Sequence, residues 1–322
     1  MALNIDIELL KRFEMGLNTL HPEKSLIPAI ILGYGEISTV FELKHEGQED
    51  IVYKRMPIFD THQQVEHYIT IYNEYNKILL NIGIDIPDYG SATITTDKGN
   101  IVLFITQKKL MPASFGNRII HTVSDNKVYQ LVLNVFRNLK KIWDFNKQNA
   151  DIKIGVDGQI SNWAIKDFDP EKTDITEQTK LFYIDTSTPL IRKNGREMLE
   201  SELFLKSTPS FLRWLIKLFF LQEVLDRYYD FRLVIIDIIA NFFKEGRPDL
   251  IPQLIDIANN FIQKEAATYN IDLIQHKEVQ SYYKNDAFIW SLFQRLRRFD
   301  RFLKTKILMG QYPYILPGKI KR

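Results

Sequence analysis

IGVDGQISNWAI, residues 154–165, is a short polar loop between apolar stretches, with Asp157 and Asn162 five positions apart. Asp-Gly favours a turn and a following Asn is a common cap, so the segment reads first as a plain connection. Its neighbours give it more weight. Downstream, LFYIDTSTP (181–189) is an apolar strand that delivers Asp185 at its end, ahead of a Ser/Thr-Pro turn. The 23 residues from Asn162 to Asp185 include the polar run DFDPEKTDITEQTK, 167–180.

Upstream, Gly33-Tyr34-Gly35-Glu36-Ile37-Ser38-Thr39-Val40 lies between two strand-like runs. Glycines at such a point let backbone N–H groups approach phosphate oxygens that a side chain would block, although two glycines near a hairpin also make an ordinary turn. No GK[ST] follows, which excludes a Walker A loop, and no helix follows, which excludes a dinucleotide-binding turn. Lys54 ends the run Ile51-Val52-Tyr53, 14 residues after Val40. Residues 62–82 then carry Val65, Ile69, Tyr72, Tyr75, Ile78 and Leu79 at helical spacing, with Gly83 where a helix should stop. That helix holds two carboxylates, Glu66 and Glu74.

The order of these pieces is more specific than any one of them. Glycine segment, strand lysine, helix glutamate, Asp-x4-Asn loop and strand-end Asp resemble the protein-kinase-like superfamily over about residues 30–190. The nearest branch is the small-molecule one, with aminoglycoside phosphotransferases and choline kinases, and NEYNKILLNIGIDIPDYG (73–90) also resembles its helix-to-strand segment. The resemblance implies an α+β fold of two lobes, a β-rich nucleotide-binding region over 1–110 and a helical region over 111–322. It implies that Gly33 and Gly35 cover the phosphates of ATP and that Lys54, paired with Glu74, holds the α- and β-phosphates. It further implies that Asn162 and Asp185 bind Mg2+ and that Asp157 is the base for a small-molecule hydroxyl. Glu66 is the competitor for the lysine partner.

The departures are local. Ser38 replaces the third glycine, Gly155 and Val156 stand where the motif has His and Arg, and Thr186-Ser187 follow Asp185 in place of Phe-Gly. There is no A-P-E segment, so a protein kinase with a regulated activation loop is disfavoured. No change touches Lys54, Asp157, Asn162 or Asp185, the groups to which the resemblance assigns phosphate, base and metal roles. The competing readings are an inactive kinase-like binding module and a different nucleotidyl or phosphoryl transfer on the same fold.

Elsewhere the periodicity predicts a leading helix over 5–20, strands at 29–33, 37–43 and 50–56 with a turn at His45-Glu46-Gly47-Gln48, and strands at 89–95 and 101–106 split by Asp97-Lys98-Gly99-Asn100. It predicts a long helix over 126–149. From 197 onward helix follows helix, including the apolar stretches 211–221 and 232–243, with breaks at Gly246-Arg247-Pro248, near Ile271 and around Lys284-Asn285.

The 322 residues are 45% hydrophobic and 25% charged with a net charge of +2, which fits a globular chain and excludes disorder as its main state. The chain has no cysteine, so disulfides, zinc–thiolate sites and thiol nucleophiles are excluded. No stretch is apolar enough to span a bilayer and Asp6, Glu8, Lys11 and Arg12 interrupt any leader, which points to a cytoplasmic protein. Residues 295–322 hold nine basic residues and one acid, a net +8. They read as a solvated helix face with Leu296, Phe299, Phe302 and Leu303 turned inward, or as a contact for nucleic acid, acidic lipid or an acidic partner.

Overall fold

In the computed structural model, residues 3–35, 38–209, 213, 222–310 and 312–318 are described. Most of 211–221, Glu36, Ile37, Lys319, Lys321 and Arg322 lie outside the described residues.

A five-stranded antiparallel sheet forms the N-terminal region. Its strands are β1 (Ala29–Tyr34), β2 (Thr39–Leu43), β3 (Ile51–Phe59), β4 (Tyr89–Thr95) and β5 (Ile101–Lys108), in the order β1-β2-β3-β5-β4. Helix α1 (Ile7–Met15) is shorter than the periodicity predicts: Asp6 caps its start and Gly16 its end, and Pro22 opens a separate turn. It buries Leu9, Leu10 and Phe13 against Phe41, Tyr53 and Phe104 on one face of the sheet. Helix α2 (His62–Asn81), capped by Thr61, lies on the other side and buries Val65, Tyr68 and Tyr72 with Met56, Leu103 and Ile105. The buried face of α2 includes Tyr68 and Ile71 rather than Ile69, a small rotation from the face expected.

The C-terminal region is mainly helical. After the short α3 (Gly116–Ile119), the long α4 (Asp125–Gln148) packs its Leu131, Val135 and Phe136 into the largest apolar cluster of the molecule. Short strands β6 (Ile152–Ile154), β7 (Trp163–Ile165), β8 (Leu181–Tyr183), β9 (Ile191–Lys193) and β10 (Arg196–Glu197) form two small ribbons on it. Then come α5 (Gln222–Arg227), α6 (Phe231–Lys244), α7 (Ile251–Lys264) and α8 (His276–Phe302). The break expected around Lys284-Asn285 is absent: α8 runs straight through both residues. Polar residues at the surface of a long helix carry little breaking power when the opposite face is anchored.

Among the described residues, no helix is long and apolar enough to cross a membrane. The arrangement is α+β, an antiparallel sheet followed by a helical region.

Candidate active site

Lys54 owes its direction to the period of two along β3. Tyr53 and Arg55 turn toward the α1 face, where Arg55 donates to both carboxylate oxygens of Glu14, at 2.6 and 2.7 Å, and to the Pro313 carbonyl at 2.6 Å. Lys54 turns the other way. It sits in a row across the sheet: Gly33 faces Val40, Val40 faces Lys54, and Lys54 faces Ile105. Gly35 closes the turn above that row by donating to the Ser38 carbonyl at 3.0 Å.

The ammonium of Lys54 lies 2.7 Å from Asp185 Oδ1, with the two side chains 19% and 24% exposed. It also donates to Ser187 Oγ. Backbone at this strand end is tied from two directions. Tyr68 of α2 donates its phenol to the Ser187 carbonyl, and Gln107 donates to Ile184 O at 3.0 Å and Thr186 Oγ1 at 3.2 Å.

The β7–β8 ribbon brings the Asp-x4-Asn loop to the same place. Trp163 pairs with Tyr183, and Ile184 N donates to Asn162 O at 2.9 Å, so Asn162 and Asp185 leave the same end of the ribbon. Asn162 Nδ2 donates back to the Asp157 carbonyl at 3.2 Å, and Gln159 N donates to Asp157 Oδ1 at 3.2 Å. Tyr75 of α2 donates to the Gly155 carbonyl at 2.8 Å. Burial first, then the charge of Asp185, raises the phenol pKa of Tyr75, with a smaller push from Asp157. Burial, Tyr75, Asp185 and Asp157, in that order, raise that of Tyr183. Both carboxylates thus act on the same two neutral phenols and share one neighbourhood.

A family model matches residues 29–301, from the first sheet strand into the last turn of α8. The chain belongs to the family of unknown function DUF6206. The matched span of this DUF6206 chain contains Gly33, Gly35, Lys54, Glu74, Asp157, Asn162 and Asp185. No curated protein matches the chain. Among solved structures, WaaP in complex with acyl carrier protein is 13% identical, covering 62% of this chain and 83% of that one at a TM-score of 0.31. Amicoumacin kinase hAmiN, in complex with AMP-PNP, Ca2+ and Ami, is 11% identical, covering 92% and 93% at a TM-score of 0.30. Overlaps that loose carry no weight for the fold or chemistry described here.

One expected pairing is not the one this DUF6206 chain forms. Glu74 reaches Lys193 Nζ at 2.7 Å, while Lys54 is held by Asp185 and Ser187. The α2 face nearest Asp185 carries Tyr68, Tyr72 and Tyr75, and Glu66 is exposed. Tyr68, Ser187 and Gln107 carry no motif, but the i, i+4, i+7 spacing of the three tyrosines was a visible signal of one face. Burial pushes the Tyr72 phenol up to about 12, so it too stays neutral.

The departures at Gly155 and Val156 have a packing cause. A Cβ on Gly155 would meet the Tyr228 carbonyl at 3.0 Å and the Tyr229 ring at 3.2 Å, so a histidine there would crowd that backbone and ring. Val156 is fully buried in the apolar cluster, so an arginine there would bury an unpaired charge. Gly158 lets α6 approach: its Cβ would lie 2.6 Å from Val234 Cγ1.

The donor set suits a hard divalent cation. Asp185 offers a carboxylate, and Asn162 keeps its amide oxygen while Nδ2 is engaged. Among the described residues, no trio of His, Cys, Asp and Glu can hold a metal alone. Such an ion would therefore lean on phosphate oxygens and water as well. A shallow polar recess opens beside Gln159 and is lined by Asp237, Asn241, Lys244, Tyr282 and Asp286.

Proposed function

We propose that this chain is an ATP-dependent phosphotransferase acting on a hydroxyl of a small molecule. The observation that carries the reading is the meeting of Lys54 and Asp185 at 2.7 Å beside the Asp157–Asn162 loop, from elements 131 residues apart. A strand lysine on a strand-end carboxylate is what a nucleotide phosphate and its metal require. In this reading residues 1–110 hold the nucleotide, with Gly33 and Gly35 over the phosphates and Lys54 on them. Residues 111–322 hold the metal ligands Asn162 and Asp185, the base Asp157 and the acceptor. Glu74 pairs with Lys193 and takes no part in holding the nucleotide.

The acceptor oxygen attacks the γ-phosphorus, its proton passes to Asp157, and the bond to the bridging oxygen of ADP breaks. Mg2+, when bound, neutralises charge building on the phosphate oxygens. The remaining work is positioning by the chain.

Calorimetry of the purified protein with ATP, with and without Mg2+, tests the reading. Metal-dependent binding is expected, followed by phosphate transfer to one member of a panel of small hydroxyl compounds. Absence of nucleotide binding in both Mg2+ and Mn2+ would overturn it in favour of the inactive binding module. Asp157→Asn separates the two further. It should retain Mg-ATP affinity and lose turnover by about 100-fold or more.

A further inference from the structure

Helix α8 is amphipathic the wrong way round in its distal half. It buries Gln294, Arg297 and Asp300, with Arg297 only 1% exposed. It exposes Phe288, Phe299 and Phe302, at 63%, 44% and 52%. At 100° per residue, Lys284, Phe288, Arg295, Phe299 and Phe302 fall within roughly a 60° arc. All five are exposed, and no acidic residue falls among them. The helix continues through a wider turn at Leu303–Ile307 into an apolar tip, Ile307-Leu308-Met309, where Met309 is 88% exposed at a positive φ. Lys306, also exposed, precedes that tip.

Single exposed apolar residues are ordinary, but aromatic rings set among cations along one helix face, ending in a protruding apolar tip, mark a contact surface. The inward placement of Phe299 and Phe302 expected from sequence is overturned, because the seam beneath them is polar. Arg297 reaches toward the Gly35 carbonyl, and Asp300 pairs with Lys304, whose ammonium lies over the Tyr312 ring. The buried side of the helix is committed to those contacts, so the phenylalanines face outward.

We propose that this stripe and tip dock the protein on an anionic lipid membrane surface, peripherally and without spanning it. The inference is independent of the phosphotransferase reading. Charge complementarity selects the occupant. Lys284, Arg295 and Lys306 flank the stripe and tip, all exposed, and no acidic residue falls in the stripe, so this face is drawn to a negative surface. A second copy meeting this chain face to face on the same stripe would set like charge against like charge. A nucleic acid would use rings for stacking but has no use for an aliphatic Ile-Leu-Met tip, whereas acyl chains accept it.

The test is co-sedimentation of the full chain with phosphatidylcholine vesicles, with and without phosphatidylglycerol. Binding is expected only with the anionic lipid, weakening at least ~10-fold between about 0.1 and about 0.5 M salt. Phe302→Ser with Leu308→Ser should weaken it by ~10-fold or more through lost insertion. Arg295→Gln with Lys306→Gln should weaken it and flatten its salt dependence. Equal binding to both vesicle types, unchanged binding by either pair of variants, or no binding at low salt overturns the proposal. So does tighter binding to a single-stranded RNA oligomer than to the vesicles. A fall of several degrees in the melting temperature of Phe302→Ser would show that the chain itself covers the stripe, which overturns it as well.

Discussion

Lys54 stands on β3 with its ammonium held by Asp185 and Ser187. A strand lysine beside a glycine turn is readable, because period two fixes its face. Its partner is not readable: Glu74 and Glu66 on the next helix are the carboxylates the sequence offers, and the one that reaches it, Asp185, lies 131 positions on. The fold gives Lys54 to Asp185 and Ser187, and Glu74 to Lys193. Ser187 therefore does part of what a helix carboxylate was expected to do. Removing its hydroxyl takes one charge-assisted bond from the ammonium, about 1–2 kcal/mol. Ser187→Ala should weaken Mg-ATP binding by roughly 10-fold, as read by calorimetry, and Ser187→Thr should restore most of it. Unchanged affinity in Ser187→Ala would mean that Asp185 alone orients Lys54.

At the scale of elements, helices and strands with clear periodicity were legible, and their ends were legible where a cap spoke. Asp6 and Thr61 open helices, and turns at Gly47 and Gly99 take positive φ as the hairpins need. What was not legible was which face of α2 meets the active loop. That depends on Tyr68 and Tyr75, whose phenols donate to the Ser187 and Gly155 carbonyls far along the chain. Tyr68→Phe should leave the Ser187 carbonyl without its buried donor and cost about 1–2 kcal/mol, measured by urea unfolding. A second element-level test lies between α6 and α8. Asp237 of α6 is pushed up to about 7 by burial first and then by Asp286, with Lys244 and Arg227 pulling the other way. The folded state thus holds this proton more tightly than the unfolded chain. In the window from an ordinary carboxylate pKa up to about 7, stability falls as pH rises. Urea midpoints at about pH 5 and pH 8 should show that decline, and Asp237→Asn should flatten it. An unchanged slope in the variant would assign the decline to other groups.

Across the whole molecule, the α+β order was readable and the closing segment was not. Residues 312–318 carry no periodicity, yet Tyr312, Tyr314 and Leu316 are buried in the cluster between β3, α2 and Leu203. Their backbone is held by side chains from the sheet: Arg55 donates to Pro313 O, and Thr39 donates to Ile315 O at 3.3 Å. Thr39 is next to Val40, the strand neighbour of Lys54, so the end of the chain braces the edge of the candidate site. Tyr312 is the centre of that brace. Its phenol donates toward Arg297 O at 3.2 Å, and its ring meets Tyr314 at 5.3 Å. Tyr312→Ala should open a cavity and cost about 3–5 kcal/mol in global stability, as large aromatic truncations do. The loss should spread beyond the tail. Amide exchange in β2 and β3 should quicken more than in α4 and α7, because the packing lost is on the sheet side. If exchange instead rises only at 312–318 while global stability holds, the segment is an appendage and the sheet stands without it.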